Sequence, residues 1–263
     1  MKKFSLICLG LAGLAFTLSP LKQRSVVNDG KMWSLLYQQQ AAEYRALCFQ
    51  AYNVAQLRLD ETLKHHSTKP LAVVTDIDET ILDNSPYDAA RAKQDSDFTT
   101  KTWKQWTAKG IADTVPGAPS FFKYAATKGV AVFYITNRDE DEMAGTIKNL
   151  KLYNMPYADN AHILLRNGTG SKEARRQLVS KKYNIVLLCG DNLPDEDKAY
   201  DGTPTLAERK AVTEKLRKEF GNRYIVLPNP AYNDWESALY HFNFHLSHQQ
   251  KDSIITALLK ADK

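Results

Sequence analysis

The stretch AVVTDIDETILDNSPY, residues 72 to 87, places Asp76 and Asp78 directly after an apolar run that has the character of a buried strand. Glu79 and Asp83 follow within a few residues. Carboxylates held this close repel one another, so a fold that keeps them together usually gains a bound cation or a proton-transfer role. The end of this strand is therefore the first candidate for a functional site.

The apolar run LAVV, which begins near residue 71, is followed along the chain by four others, VAVFYI, HILL, IVLL and YIVL, near 130, 162, 185 and 224. Strands that alternate with helices predict a parallel sheet covered on both faces. We therefore expect an α/β fold with a Rossmann-like parallel sheet. The helix-like segments that precede or separate the later runs are 118–128, 139–152, 172–182 and 205–220.

The segments outside the sheet indicate a smaller, mainly helical lobe. Apolar residues recur at helical spacing over 30–65, which predicts one long helix. The gap between the first two strands is longer than one connecting helix needs, and the tail is expected to pack with the N-terminal helix. We expect one domain over 21–263, with a core at about 68–228 and a lobe formed by about 30–66, 84–117 and 229–263.

The N-terminal sequence MKKFSLICLGLAGLAFTLSP has two lysines, a short and mostly apolar run, and then polar residues. This layout is typical of a secretory signal peptide, so we expect residues 1–20 to direct export. The run is too short and too rich in glycine to predict a membrane span. Cys8 lies inside it, but the residues before Cys8 make a poor acylation signal, and a lipid anchor stays open.

Charge and cysteine content narrow the class of protein. The net charge of +5 is spread along the chain without a basic block, so we expect no nucleic-acid polymer as a partner. Cys189 lies in an apolar run, which favours a buried free thiol over a disulfide with Cys48. The chain is not a disulfide-stapled fold.

Polar residues follow the strands at equivalent positions. TNR at 136–138 ends the second run, and GDN at 190–192 ends the fourth, with Asp195 soon after. GSK at 170–172 follows the third run and predicts a helix start capped by Ser171. Because open parallel sheets bind ligands at the carboxyl ends of their strands, we expect these segments to meet at one edge.

The residue types at this edge indicate the chemistry. Several carboxylates without a neighbouring His or Cys suit a hard cation that prefers oxygen, most simply Mg²⁺. Lys172 and Thr136 suit an anion beside it, and a metal with an anion points to phosphate. A carboxylate can attack phosphorus and form an aspartyl-phosphate, while the metal stabilises the transferring group.

Competing motifs fit this sequence less well. An EF-hand loop would need Gly at the position of Ile81 and Glu at the position of Tyr87. The sequence contains neither a GxxxxGK[ST] phosphate-binding loop nor a GxSxG nucleophile elbow. A glycosidase with paired carboxylates would leave Lys172 and Thr136 without roles.

The motifs DIDETILDN, TNR, a lysine that opens a helix, and GDNLPD together resemble the haloacid dehalogenase (HAD) superfamily of phosphatases. More narrowly they resemble the bacterial class C acid phosphatases, also called the lipoprotein e family. The resemblance extends to QQQAAEYRALCFQAYNVA, DNSPY and LPNPAYNDWE, and so covers roughly residues 35–245.

The resemblance implies an exported, Mg²⁺-dependent acid phosphatase, periplasmic or associated with the outer membrane. Its substrates would be small phosphomonoesters: 5′-nucleotides, including nicotinamide mononucleotide, and aryl phosphates. It implies an acidic optimum and leaves membrane anchoring and a homodimer open.

The resemblance also implies a role for each matching position. Asp76 would be the nucleophile and a metal ligand, and Asp78 the general acid and base, with its backbone carbonyl on Mg²⁺. The resemblance further implies that the phosphoryl group would be bound by Thr136, Asn137 and Lys172. The metal would also be bound by Asp191 and Asp195, and an aromatic substrate pocket would be lined by Trp103 and Tyr232.

One departure and two alternatives accompany this interpretation. Glu196 stands where the family's fourth motif usually has an aromatic residue, which changes packing or charge beside the metal. One alternative function is phosphotransfer at the same site. The other is a non-catalytic surface or storage protein on this scaffold, binding haem, although Asp76 and Asp78 are both present.

Overall fold

Residues 25–262 are described by the computed structural model, and their strands build a parallel sheet at the centre of the fold. The strands in this part of the chain are β1 (Leu71–Thr75), β2 (Leu82–Asp83), β3 (Asp113–Thr114), β4 (Ala131–Ile135), β5 (Ile163–Leu164), β6 (Asn184–Gly190) and β7 (Tyr224–Val226). Five of them pair in parallel in the order β5-β4-β1-β6-β7, while β2 and β3 form a separate antiparallel pair. The predicted Rossmann-like sheet is confirmed.

The central strand β1 shows why the apolar runs become strands. It pairs with β4 on one side and β6 on the other, and helices cover both faces. Ala72 and Val73 face opposite sides, yet neither is exposed to solvent. A strand buried on both faces needs a continuous apolar run, which is the pattern the sequence shows.

Ten α-helices lie in the described residues around the sheet, joined by loops and short 3₁₀ turns. They are α1 (Val26–Gln40), α2 (Ala42–Thr62), α3 (Ser85–Lys93), α4 (Thr100–Thr107), α5 (Ala118–Thr127), α6 (Met143–Leu152), α7 (Glu173–Lys182), α8 (Leu206–Lys215), α9 (Asp234–Leu239) and α10 (His248–Leu258). None of the helices between residues 25 and 262 combines the length and the hydropathy needed to cross a bilayer.

The prediction of one helix over 30–65 was wrong. The chain leaves the helical conformation at Ala41, where φ is −77° and ψ is 129°, and this residue separates α1 from α2. The two helices pack on different neighbours: α1 on α3 and α10, and α2 on α5, β6 and β7. The break lets each helix bury its own apolar face. The helix expected over 205–220 likewise ends early, at Lys215.

The tail packs against the N-terminal helix, as the sequence suggested. Asp252 of α10 accepts hydrogen bonds from the Ser25 hydroxyl and the Val27 amide, both at 2.9 Å. Cys48 and Cys189 are both buried free thiols. The division into core and lobe stays a prediction, and the signal-peptide interpretation of residues 1–20, with Cys8, lies outside the described residues.

Candidate active site

The end of β1 turns sharply and presents two carboxylates. The Asp76 amide donates to the carbonyl of Cys189 on β6 at 2.9 Å, which continues the sheet to the last residue before the turn. Glu79 adopts a positive φ of 56°, and the Ile81 amide closes the turn on the Ile77 carbonyl at 2.8 Å. Asp76 and Asp78 both line one cavity at this edge of the sheet.

Three carboxylates from two adjacent strand ends converge in this cavity. One oxygen from each of Asp76, Asp191 and Asp195 lies within 4.8 Å of the other two, a spacing that fits a single divalent cation. Gly190 makes the arrangement possible, because a β-carbon there would overlap the Asp195 side chain. Lys172 bridges the group, pairing with Asp76 and, at 2.6 Å, with Asp195.

Burial and mutual repulsion change how these groups ionise. Burial, with the neighbouring carboxylates Asp195, Asp191 and Asp78, raises the pKa of Asp76 well above its usual value, although Lys172 opposes the shift. Burial and Asp195 raise the pKa of Asp191 to about 7. Burial acts to lower the pKa of Lys172, but Asp195 and Asp76 outweigh it and raise that pKa to about 12. The cluster therefore gains from a cation that offsets its negative charge.

Asp191 is oriented by amide groups that the sequence analysis did not assign. Asn229 and Asn233 donate to its Oδ2 at 2.8 and 2.5 Å, and Thr80 donates to its Oδ1 at 3.2 Å. Asn229 lies in the loop after β7, which ends at Val226, so a search for polar residues soon after strand ends would have found it. Asn233 carried no such signal.

Asp78 is held by two side chains, and sequence reasoning assigned a role to neither. Arg138 is buried and pairs with it in a forked manner, Nη2 to Oδ1 at 2.7 Å and Nε to Oδ2 at 3.1 Å. Asn84 donates to Asp78 Oδ1 at 2.8 Å and in turn accepts from the Trp106 indole at 2.7 Å. The TNR motif contained Arg138, but only the fold shows its partner.

The residues expected to hold a phosphoryl group lie around the same edge. Asn137 and Lys172 line the cavity. Thr136 is fully buried at the end of β4 and is not among the residues that line the cavity; its hydroxyl accepts the Arg138 amide at 3.2 Å. The expected cap at Ser171 was one residue early: Lys172 is the N-cap of α7, while the Ser171 hydroxyl accepts the Glu173 amide at 3.3 Å.

The cavity extends from the carboxylates to an aromatic wall and has a volume of about 680 Å³. Trp103 of α4 stands edge-on to Tyr87 at 5.3 Å between ring centroids and lies 5.8 Å from the Arg138 guanidinium. Tyr232 reaches the cavity from the loop after β7, and its hydroxyl donates to Glu79. Both aromatic residues predicted from sequence therefore line the same space.

Glu196 is an unusual neighbour of this site. It is only 2 % exposed, and neither of its carboxylate oxygens has a hydrogen-bond partner within the described residues. Burial, with Asp195 and Asp191 nearby, raises its pKa well above the usual value. An aromatic side chain would bury no charge at this position.

Comparison with protein families and solved structures gives consistent matches. Residues 15–235 match the family described as HAD superfamily, subfamily IIIB (acid phosphatase). The fold is similar to the class C acid phosphatase of Bacillus anthracis, with a TM-score of 0.85 and 39% identity, covering 90% of this chain and 99% of that one. A second structure of the Bacillus anthracis protein, with tungstate bound, matches with a TM-score of 0.85 and 38% identity.

Curated plant proteins are more distant relatives. A stem 31 kDa glycoprotein of Glycine max is 27% identical over 125 residues, which are 45% of this chain and 49% of the relative. Acid phosphatase 1 of Solanum lycopersicum is 26% identical over 130 residues, 46% of this chain and 50% of the relative. The chain thus spans about half the length of the curated relatives it matches.

Proposed function

The chain belongs to subfamily IIIB of the HAD superfamily, a family of acid phosphatases, and from this premise we propose that it hydrolyses small phosphomonoesters with Mg²⁺ through an aspartyl-phosphate on Asp76. The observation that carries the proposal is the convergence of Asp76, Asp191 and Asp195 at one sheet edge, with Lys172 between them. Carboxylates around a lysine suit a cation and a phosphoryl group side by side.

The donor set fits Mg²⁺. Asp76, Asp191 and Asp195 would hold it through carboxylate oxygens, and the Asp78 carbonyl is the fourth proposed protein ligand. The cluster of possible ligands found among the described residues here consists of Asp76, Asp191 and Asp195, without the His or Cys that favour zinc and other softer metals. When bound, the ion would stabilise negative charge on the transferring phosphoryl group.

In the first chemical step the phosphoryl group moves from the substrate to Asp76, and each of the surrounding side chains has its own part. Asp76 attacks phosphorus, so that a bond forms from its carboxylate oxygen while the bond from phosphorus to the ester oxygen breaks. Asp78 gives its proton to the departing oxygen. Arg138 and Asn84 hold the Asp78 carboxylate at the cavity wall. Lys172 and Asn137 bind the phosphoryl oxygens, and the Thr136 hydroxyl supports them from the end of β4.

The second step reverses the proton transfer. Asp78 takes a proton from water as that water attacks phosphorus, and the bond from phosphorus to Asp76 breaks to release inorganic phosphate. Tungstate is an oxyanion of similar charge and shape to phosphate, and its presence in the Bacillus anthracis protein supports an oxyanion site in this one. We propose 5′-nucleotides, including nicotinamide mononucleotide, and aryl phosphates as substrates, because Trp103 and Tyr232 offer rings for stacking.

Export of the protein is proposed from the pattern of residues 1–20, with the periplasm or the outer membrane as its destination. Membrane anchoring and a homodimer stay open. Fractionation of cells tests export and membrane anchoring, and the mass of the purified protein in solution tests for a homodimer.

One experiment tests the function. Purified protein is exhaustively dialysed against EDTA and assayed on a panel of nucleotides and aryl phosphates, with and without added Mg²⁺ and with an added alcohol acceptor. We expect phosphate release to stop on chelation and return with Mg²⁺. Full activity after chelation would contradict the metal, and transfer of most phosphate to the alcohol would favour a phosphotransferase.

A further inference from the structure

Two consecutive buried arginines follow Lys172 on α7. Arg175 is 7 % exposed and Arg176 is 5 % exposed, although the residues on either side of this pair, Ala174 and Gln177, face solvent. Helix residues one apart point in directions about 100° apart. Arg175 reaches the end of β4, and Arg176 reaches the loop after β6 that carries Asp195.

Arg175 holds the backbone of the proposed phosphate-binding side. Its Nη1 donates to the Thr136 carbonyl at 2.5 Å and to the Leu164 carbonyl at 3.3 Å, and its Nη2 donates to the Ser171 carbonyl at 3.1 Å. These carbonyls belong to the ends of β4 and β5 and to the start of α7. One planar fork therefore fixes three segments that surround the cavity.

Arg175 also determines which end of the Asn137 amide faces the cavity. Its Nη2 donates to Asn137 Oδ1 at 2.7 Å, so the NH₂ group of Asn137 is directed away from the arginine. Asn137 lines the cavity. With the NH₂ group toward an oxyanion the contact is attractive, whereas a flipped amide would present an oxygen and repel it.

Arg176 holds the proposed metal-binding side. Its Nη1 donates to the Pro194 carbonyl at 2.8 Å and to the Asp195 carbonyl at 2.7 Å. Its Nη2 pairs with Glu173 at 3.0 Å, which places a carboxylate beside the buried guanidinium. Arg176 thus ties the loop that carries Asp195 to α7 through main-chain carbonyls, and the Asp195 carboxylate stays within 4.8 Å of an Asp191 oxygen.

We propose that Arg175 and Arg176 are positioning residues with separate effects, Arg175 on oxyanion binding and Arg176 on cation binding. This division rests on the proposed function, because that function assigns one side of the cavity to phosphate and the other to the metal. Burial of two positively charged guanidinium groups costs free energy, and hydrogen bonds to several fixed carbonyls offset that cost only in one geometry. That geometry is what makes the pair suitable for fixing two loops independently.

The test compares Arg175→Lys with Arg176→Lys. Lysine keeps the charge but cannot reproduce a planar fork. Isothermal titration measures Mg²⁺ alone binding to metal-free protein, and then tungstate binding to protein saturated with Mg²⁺. Lys181→Ala, at an exposed position in the last turn of the same helix, is the control for a general effect on α7.

We expect Arg175→Lys to weaken tungstate binding about tenfold and to leave the Mg²⁺ affinity within about twofold. We expect Arg176→Lys to weaken Mg²⁺ binding about tenfold and to leave tungstate binding to the saturated protein within about twofold. Equal losses of both ligands in both variants, or no loss in either, would overturn the division. Wild-type protein that binds neither probe would count against the proposed function itself.

Two further variants keep the test decisive if a lysine variant does not fold. Asn137→Asp places a carboxylate oxygen where Arg175 directs the NH₂ group, so retained tungstate affinity would overturn the role of Arg175. Glu173→Gln removes the carboxylate that pairs with Arg176, and we expect Mg²⁺ affinity to fall severalfold. An unchanged Mg²⁺ affinity in Glu173→Gln would overturn the role of Arg176.

Discussion

Asp76 supplies the nucleophilic oxygen in the proposed reaction, and Asp76→Asn keeps the shape of the side chain while removing that nucleophile. Lys172 still finds an oxygen to contact, so the fold should persist. We expect kcat to fall by about 10³-fold or more, because the covalent step is lost. Steady-state kinetics measures the loss, and circular dichroism with tungstate titration verifies that the site is intact. Retention of more than a few per cent of activity would contradict the covalent mechanism.

Glu196 is a buried carboxylate without a hydrogen-bond partner in the described structure, and its replacement should stabilise the protein. Its pKa is raised in the folded state, so the unfolded chain ionises more readily as pH rises above the ordinary value of 4.5. The free energy of unfolding therefore carries no penalty from Glu196 below pH 4.5, where the carboxyl group is neutral in both states, and it decreases as pH increases above that value. We expect Glu196→Gln to raise the free energy of unfolding by about 1–3 kcal/mol near neutral pH.

Urea unfolding in the presence of EDTA measures this effect without compensation by a cation. The gain in free energy of unfolding from Glu196→Gln should be larger at about pH 8 than at a pH near the ordinary carboxyl pKa. Glu214→Gln, at an exposed position on α8, is the matched control and should change stability little. A gain that does not depend on pH would contradict the raised pKa of Glu196 in the folded protein.

The C-terminal end of α4 lies close to α6, and Gly145 of α6 allows this approach. A β-carbon at Gly145 would stand 2.5 Å from the Thr107 carbonyl oxygen of α4. Gly145→Ala should therefore displace α4, which carries Trp103, and lower the free energy of unfolding by about 1–3 kcal/mol despite the better helix propensity of alanine.

Gly30→Ala on α1 separates this steric effect from helix propensity. A β-carbon at Gly30 would meet no atom within 4 Å, and the backbone there is ordinary helix, so alanine should be neutral or stabilise by about 0.5–1 kcal/mol. Urea unfolding and tryptophan fluorescence compare the two variants. Equal stability changes in both would contradict the close approach of α4 to α6.

The strands and the positions of their ends were predictable because each is a physical consequence of local sequence. β1 and β4 are buried on both faces, and such strands read as uninterrupted apolar runs followed by polar residues. The break at Ala41 was not predictable, since QQQAAEY contains no Pro or Gly and only the different packing partners of α1 and α2 require it. Arg138 and Arg175 were missed as positioning residues because their partners, Asp78 and Asn137, lie in distant segments of the chain.

Over the whole molecule, the cavity is built by segments far apart in sequence. Trp103 comes from the insertion after β1, Tyr232 from the loop after β7, and Phe244 from the tail, while the carboxylates come from the sheet. The resemblance to the class C acid phosphatases indicated the first two of these residues. Contacts between distant segments, such as the hydrogen bond from Tyr232 to Glu79, depend on the tertiary fold and have no signal in either segment alone.

This architecture predicts that the aromatic wall selects the substrate while the carboxylates act on any phosphomonoester. Base stacking contributes about 1–3 kcal/mol, so Trp103→Ala and Tyr232→Ala should each lower kcat/KM for a 5′-nucleotide by roughly 5- to 150-fold. A small alkyl phosphate, which has no ring to stack, should lose severalfold less. Tyr232→Phe is the matched control: it keeps the ring, loses the bond to Glu79, and should preserve the preference for the nucleotide over the alkyl phosphate. Equal losses on both substrates in the alanine variants would mean that these residues support the fold alone, and the assignment of the substrate pocket would be wrong.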